Sequence, residues 1–459
     1  MDFYQKAVIR KEELIKTVQE LVRIPSLYDP ETIEPNAPFG KNLRVALDYM
    51  LSLAKKDGFK VRDLEGYAGV IEFGEGTEIM GVLGHLDVVP VGKGWSVDPF
   101  SATIKDGYII GRGSQDDKGP SIAAYMAMKI LKDSGFKPTK RVFMILGTDE
   151  ESGMGCMKYY QKHGEIPDFG FVPDADFPVI YGEKGILQVD VKGHKKTQIL
   201  SLKAGERPNI CIGEASVLMK GSAKKELFDF YLTSNALEGR IDSTLETTSY
   251  FIKGKYAHGS MPQEGINAAW HCLNFVAAAY QDESASELAR LLKEYRGDAL
   301  GIRCFGSHMG FLTVNLGIIS IENDEHHLVL DIRYPQETNE VSILSSIQKA
   351  LDDHLPEFKV SIRDFKGPLF VDPKSKLVST LEKIYRDYSK DDQSQLMTMG
   401  GGTYARSFDN FVAYGAEFPL RKRPSWVGNV HQADEGYEIE QLVMATAIYA
   451  QAIYDLTSK

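Results

Sequence analysis

The chain has 459 residues, 43% hydrophobic and 25% charged, with a formal charge of −11 at pH 7. That length exceeds what one hydrophobic core usually covers, so two or more domains are expected. The acidic balance argues against a nucleic-acid partner, no apolar run is long enough to span a bilayer, and four scattered cysteines without a CxxC pair suit a reducing cytosol.

The start of the chain shows no apolar signal core behind a basic segment. Residues 3–23 place Phe3, Ala7, Leu14, Ile15, Val18, Leu21 and Val22 at helical spacing, and Ile24-Pro25-Ser26 stops that helix. A proline-rich loop over 30–40 leads into a second amphipathic helix over 41–57. Strands are predicted at 61–65, 70–73 and 79–84, and the last of these runs directly into His85-Leu86-Asp87. A hairpin is expected around Asp106-Gly107. A helix follows Gly111-Arg112-Gly113-Ser114-Gln115-Asp116-Asp117-Lys118-Gly119-Pro120, with Pro120 suited to its first turn. Arg141–Gly147 reads as a buried strand that runs into Asp149-Glu150-Glu151, and 169–174 as another that ends in the aspartate, Asp174.

Strands thus alternate with helices up to about 185, which implies an α/β fold with a mostly parallel sheet. From 186 to 372 strand-like segments dominate, with helices chiefly at 264–280 and 340–354. This reads as an inserted α+β domain. Residues 373–459 return to alternation, with helices near 375–389 and 438–456. The expected organisation is therefore a catalytic domain from 1–185 and 373–459, interrupted by a second domain at 186–372.

Three strands end in a potential ligand or base: His85 with Asp87, Glu150 with Glu151, and Asp174. In open α/β sheets, ligands bind at the carboxyl ends of the strands. Each feature alone has an ordinary explanation. A strand-end histidine can be structural, Asp116-Asp117 can cap a helix, and Glu150-Glu151 can be a solvated pair. Their coincidence points to metal chemistry. His85, Asp116, Glu151, Asp174 and His431 are enough for two divalent ions if one carboxylate bridges, and imidazole and carboxylate donors suit zinc, manganese or cobalt. Glu150 is placed to act as a general base beside Glu151. Asp87 is placed to accept the second N–H of the His85 imidazole.

These strings, in this order, resemble the co-catalytic metallopeptidases that include carnosinases, aminoacylases and desuccinylases, and within them the PepV-type dipeptidases. The matching segments are Gly84–Pro90, Gly111–Gly119, Asp149–Gly153, Pro173–Ala175 and His431. The resemblance implies Asp116 as the bridge, His85 and Asp174 on one ion, Glu151 and His431 on the other, with Zn2+ as the metal and Mn2+ as its rival. It implies a cis peptide at Asp116–Asp117. It implies that water held between the ions and deprotonated by Glu150 attacks the peptide bond of a dipeptide with free ends. Further carry-over falls on the inserted domain as a lid. His258 and Asn209 would serve the oxyanion, Arg333 the substrate carboxylate, and the glycine-rich stretch with Gly401 and Gly402 its C-terminal end. Asp at 174 is the residue expected of members that bind a free amino group. An N-acyl amino acid deacylase on the same scaffold is the alternative. The enlarged lid implies a monomer, and the expected location is the cytoplasm.

Overall fold

Seven consecutive buried residues, Ile79–His85, form the strand on which the site is built. The structure is a computed structural model that describes residues 1–458. It divides into two units. The first comprises Met1–Gly182, Phe370–Met397 and the chain from Gly402 onward. The second comprises Glu183–Leu369 and Thr398–Gly401.

The first unit contains a mixed sheet. Its strands are β1 (Lys60–Leu64), β2 (Ala68–Phe73), β3 (Ile79–His85), β4 (Arg141–Gly147), β5 (Phe169–Val172) and β6 (Phe411–Ala413), in the spatial order β1-β2-β4-β3-β5-β6. Further short strands extend the sheet beyond β6. The central pairings β4–β3, β3–β5 and β5–β6 are parallel. The flanking pairings β1–β2 and β2–β4 are antiparallel. The parallel centre is what aligns three strand ends on one edge.

Helix α1 (Lys118–Asp133) is buried along almost its whole length and packs against α2 (Ile439–Thr457), near the end of the chain. Many small residues in α1 and α2, such as Ala123, Ala124, Ala127, Ala445, Ala447 and Ala450, suit such close contact. α1 also packs on β3. At Gly84 a Cβ would come within 2.0 Å of Ser121 Oγ, so only glycine admits this approach. The approach lets Asp117, just before α1, accept the His85 main-chain N–H at 3.2 Å. Lys118 anchors the same helix end from below. Its buried ammonium donates to the carbonyls of Leu21 and Ile24 at 3.2 and 2.7 Å, at the end of the helix Lys11–Val22.

The helix expected over 3–23 is two helices, Phe3–Ile9 and Lys11–Val22, which meet at Arg10. The apolar spacing already breaks there. No buried apolar residue lies between Ala7 and Leu14, and the Arg10 guanidinium bonds instead to Glu13 and Asp133.

The second unit contains an eight-stranded antiparallel sheet with its own core. Burial alternates along Gly185–His194 and Thr247–Lys253, as for a sheet with one face packed and one open. Ala268–Tyr280 and Glu340–His354 are helical, as expected, and so are Lys225–Ser234 and Glu283–Leu291. His326 and His327 lie in the strand Glu325–Tyr334, just after a turn. The turn is formed by Asn323 and Asp324, both with positive φ.

Gly84→Ala should lower the thermal midpoint of the protein by several degrees, the size expected when overpacking costs about 1–3 kcal/mol. A midpoint equal to wild type would contradict the contact with Ser121.

Candidate metal centre

Because β4, β3 and β5 are parallel neighbours, their carboxyl ends lie side by side. β3 ends in His85, β4 leads into Glu150 and Glu151, and β5 leads through Pro173 to Asp174. Asp116 and Asp117 sit just before α1, joined by a cis peptide. His431 arrives on the loop 428–435, with its backbone in the left-handed region at φ 63°.

These residues converge in two groups. His85, Asp116 and Asp174 form one, and Asp116, Glu151 and His431 the other; within each, one donor atom per residue lies within 4.8 Å of the rest. Asp116 belongs to both, and its two oxygens are divided between them. Oδ1 lies 2.9 Å from His85 Nε2, while Oδ2 lies 3.0 Å from His431 Nε2. His85 Nε2 is 3.7 Å from Asp174 Oδ2, and His431 Nε2 is 3.1 Å from Glu151 Oε1.

Burial is the largest single influence on the carboxylates of this cluster, and their charged neighbours act beside it. Burial pushes the Asp116 carboxyl up, but hydrogen bonds from His431 and His85 outweigh it and hold it below the usual carboxylate range. Burial, with Asp116 nearby, pushes Asp174 up to about 7. Burial also raises Glu150 well above its ordinary value, and the Asp174, Glu151 and Asp87 carboxylates add to this. Hydrogen bonds to Asp116 and Glu151 raise His431 to about 10. Carboxylates crowded in this way call for cationic neighbours.

Asp87 is buried beside them. The His85 Nδ1 lies 2.9 Å from the main-chain carbonyl of Asp87 and 3.4 Å from its carboxylate. The Asp87 carboxylate accepts the main-chain N–H of Glu150 at 2.9 and 3.0 Å and that of Glu151 at 2.9 Å. It therefore fixes the turn that presents both glutamates. The spacing of His85 and Asp87 pointed to the ring; this link to the turn after β4 is long-range and left no mark in the sequence.

Two other buried side chains carried no role in the sequence reading. The Tyr404 ring meets His85 edge-on, with centroids 5.9 Å apart, and its hydroxyl is 2.7 Å from Cys156 Sγ. Glu435 lies beneath the Asp116 loop. Neither falls in a recognisable spacing with the ligand candidates, except that Glu435 lies on the same loop as His431.

In the second unit, the short strand pair Ile210–Cys211 and Ala257–His258 brings Asn209 next to the His258 segment, and the Asn209 carbonyl accepts the Gly259 N–H at 2.7 Å. His258 is exposed, and its Nδ1 is 2.7 Å from Ser260 Oγ. Arg333 is 4% exposed. Its Nε and Nη2 donate to Asp331 Oδ2 at 3.0 and 2.9 Å, and its Nη1 donates to the Gly400 carbonyl at 2.8 Å. Gly401 belongs to this unit and Gly402 to the first, where a Cβ would meet the Arg406 guanidinium at 2.3 Å. Among the described residues no helix is long and apolar enough to cross a membrane.

A family model described as "Peptidase family M20/M25/M40" matches residues 81–455. The chain is 37% identical over 472 residues to a Bacillus subtilis (strain 168) protein named "Putative dipeptidase YtjP", covering 99% of this chain and 100% of that one. It is 36% identical over 471 residues to a Staphylococcus aureus (strain USA300) protein named "Putative dipeptidase SAUSA300_1697", covering 97% of both. Among solved structures, human carnosine dipeptidase 1 matches with a TM-score of 0.58 at 16% identity over 99% of both chains. The Saccharomyces cerevisiae dipeptidase Dug1p matches with a TM-score of 0.59 at 14% identity, over 99% of this chain and 98% of that one. At such identities these structures bear on the fold alone.

The Asp87 clamp has a direct readout. Asp87→Ala should speed hydrogen exchange at the Glu150 and Glu151 amides about tenfold or more, since hydrogen bonds to a charged acceptor are worth about 1.5–3 kcal/mol. Unchanged exchange in the folded variant would contradict the clamp.

Proposed function

The chain belongs to peptidase family M20/M25/M40, a hydrolytic metallopeptidase family, and from that premise we propose that it is a dipeptidase working with two divalent ions. The observation that carries the reading is the division of Asp116, with one oxygen facing His85 and the other facing His431. A carboxylate shared in this way is suited to bridge a pair of ions. The donor set fits: two imidazoles and three carboxylates, with no thiolate, suit Zn2+, and Mn2+ accepts the same donors. On this reading His85 and Asp174 hold one ion, Glu151 and His431 the other, and Asp116 both.

Such ions, when bound, polarise a carbonyl and make water acidic enough to be a nucleophile near neutral pH. The chain's own residues do the rest. Glu150 takes a proton from the attacking water and passes it to the leaving amine. Its position depends on Asp87, which holds the main-chain N–H groups of the 150–151 turn. The His85 ring is oriented by the main-chain carbonyl of Asp87 and backed by Tyr404. In the second unit, His258 with Asn209 would donate to the oxyanion, and Arg333 with the Gly401 and Gly402 stretch would hold the substrate carboxylate. The guanidinium is already fixed by Asp331 and Gly400, so it would be pre-oriented for that task.

The substrate class rests on the near-full-length similarity to proteins named as dipeptidases and on Asp at position 174. The four cysteines are free and three are buried, which suits the reducing cytoplasm. We take the working form to be a monomer.

The test is an assay of the metal-loaded protein against a panel of dipeptides, a tripeptide and N-acyl amino acids. Turnover confined to dipeptides supports the reading, whereas turnover confined to N-acyl amino acids would make the protein a deacylase. Chelation should abolish activity, and Zn2+ or Mn2+ should restore it. Glu150→Ala should keep its metal content and lose kcat by at least about a hundredfold. Retained turnover would remove Glu150 from the reaction.

A further inference from the structure

One buried side chain near the centre has more hydrogen-bond partners than an ion pair needs. Glu435 is fully buried, and its Oε2 pairs with the guanidinium of Arg112, itself 1% exposed. Its Oε1 accepts three main-chain N–H groups, from Gly113 at 2.9 Å, Gln115 at 3.1 Å and Asp116 at 3.2 Å. Its main-chain carbonyl accepts the Gly111 N–H at 2.8 Å and the Ser114 hydroxyl at 3.3 Å. The segment 111–116 is thus wrapped around one residue.

The wrapping needs a strong acceptor. Three N–H groups aimed at one buried point form a concavity that binds an anion, and without an acceptor each would be left unsatisfied. Gly113 adopts φ +87° there, which few side-chain-bearing residues would tolerate. Arg112 neutralises the carboxylate and extends the link. Its guanidinium lies 5.3 Å from the Trp95 ring centroid and within 3.4 Å of the Pro90 and Val91 carbonyls, just beyond Asp87. Glu435 also closes the loop that carries His431, since it bridges to Gly428 and the Gly428 N–H bonds to the Asp434 carbonyl at 2.7 Å.

We propose that Glu435 is a positioning residue for the metal centre: by gathering the N–H groups of Gly113, Gln115 and Asp116 on one oxygen, it sets the direction of the Asp116 carboxylate and ties it to the loop of His431. This rests on the reading of Asp116 as the carboxylate shared by two ions. Glu435 belongs to neither group of donors. It acts through the main chain, and its contribution is the acceptor oxygen rather than the charge.

Two double variants separate those contributions. Arg112→Met/Glu435→Gln removes both charges and keeps an acceptor at the same place. Arg112→Met/Glu435→Leu removes both charges and the acceptor. The probe is Co2+, followed by its visible absorption, which reports coordination without turnover. The Leu form should bind the second Co2+ about 10–100-fold more weakly than the Gln form, the range seen when groups that orient metal ligands are lost. In the dipeptide assay kcat should fall in step while KM changes little. Equal Co2+ affinity in the two forms would overturn the proposal and leave the pair as a strut. Should the Leu form fail to fold, Glu435→Asp keeps the charge but draws the carboxylate back by one methylene. It should show the same weakening, and wild-type Co2+ affinity there would overturn the proposal. A wild-type chain that takes up two Co2+ but cleaves no dipeptide would overturn the proposed activity, and the Gln–Leu comparison would still decide Glu435. A wild-type chain that takes up no Co2+ would overturn both.

Discussion

Burying several carboxylates in one place is the constraint on which the first unit depends. Each carboxylate loses hydration, and its neighbours repel it. The chain meets this cost with main-chain N–H groups. Asp87 receives those of Glu150 and Glu151, Asp117 receives that of His85, and Glu435 receives three from the segment before α1. Asp87 and Glu435 are satisfied by the protein itself, and Asp117 accepts on Oδ2 from His85 N–H and the Ser121 hydroxyl while its Oδ1 has no partner. The cluster of Asp116, Glu151 and Asp174 is satisfied only in part, by two imidazoles, and this difference separates the acids that hold the site from those that face its contents.

The fold serves that division. Parallel pairing of β4, β3 and β5 aligns three strand ends, and Gly84 lets the start of α1 close on the middle one. The antiparallel neighbour β2 begins beside the end of β4, where Ala68 pairs with Gly147. Close packing of α1 against α2 then brings the last part of the chain to the same edge, so that the loop before α2 can deliver His431.

The strand ends were legible because their signal is local: an apolar run that stops at a polar residue. His85, Glu150, Glu151 and Asp174 all follow such runs. The break at Arg10 was also present in the spacing, as the gap between Ala7 and Leu14. The second unit was harder to read. Strands such as Glu214–Lys220 and Glu238–Ser243 alternate with polar residues and are short, and only pairing with distant partners defines them. The spacing of His85 and Asp87 showed their link, but the hold of Asp87 on the Glu150–Glu151 turn and the role of Glu435 were not legible, because the partners there are main-chain N–H groups, which no side-chain pattern reveals. Arg333 was visible as an arginine in a strand, but its fixation by Asp331 two residues earlier is a fact of packing.

The contact of His431 with Glu151 spans 280 residues, and that of Arg112 with Glu435 spans 323. This has a consequence for the order of synthesis. A ribosome that has made the chain as far as residue 427 has supplied His85, Asp116, Glu151 and Asp174, but neither His431 nor the acceptor that shapes the Asp116 loop. The nascent polypeptide therefore carries four of the five donor residues, with only the imidazole of His431 missing, from residue 174 until residue 431 is added. On the proposed reading, hydrolytic capacity arises late, when the closing stretch emerges and docks, and a product truncated before it would be inert rather than partly active.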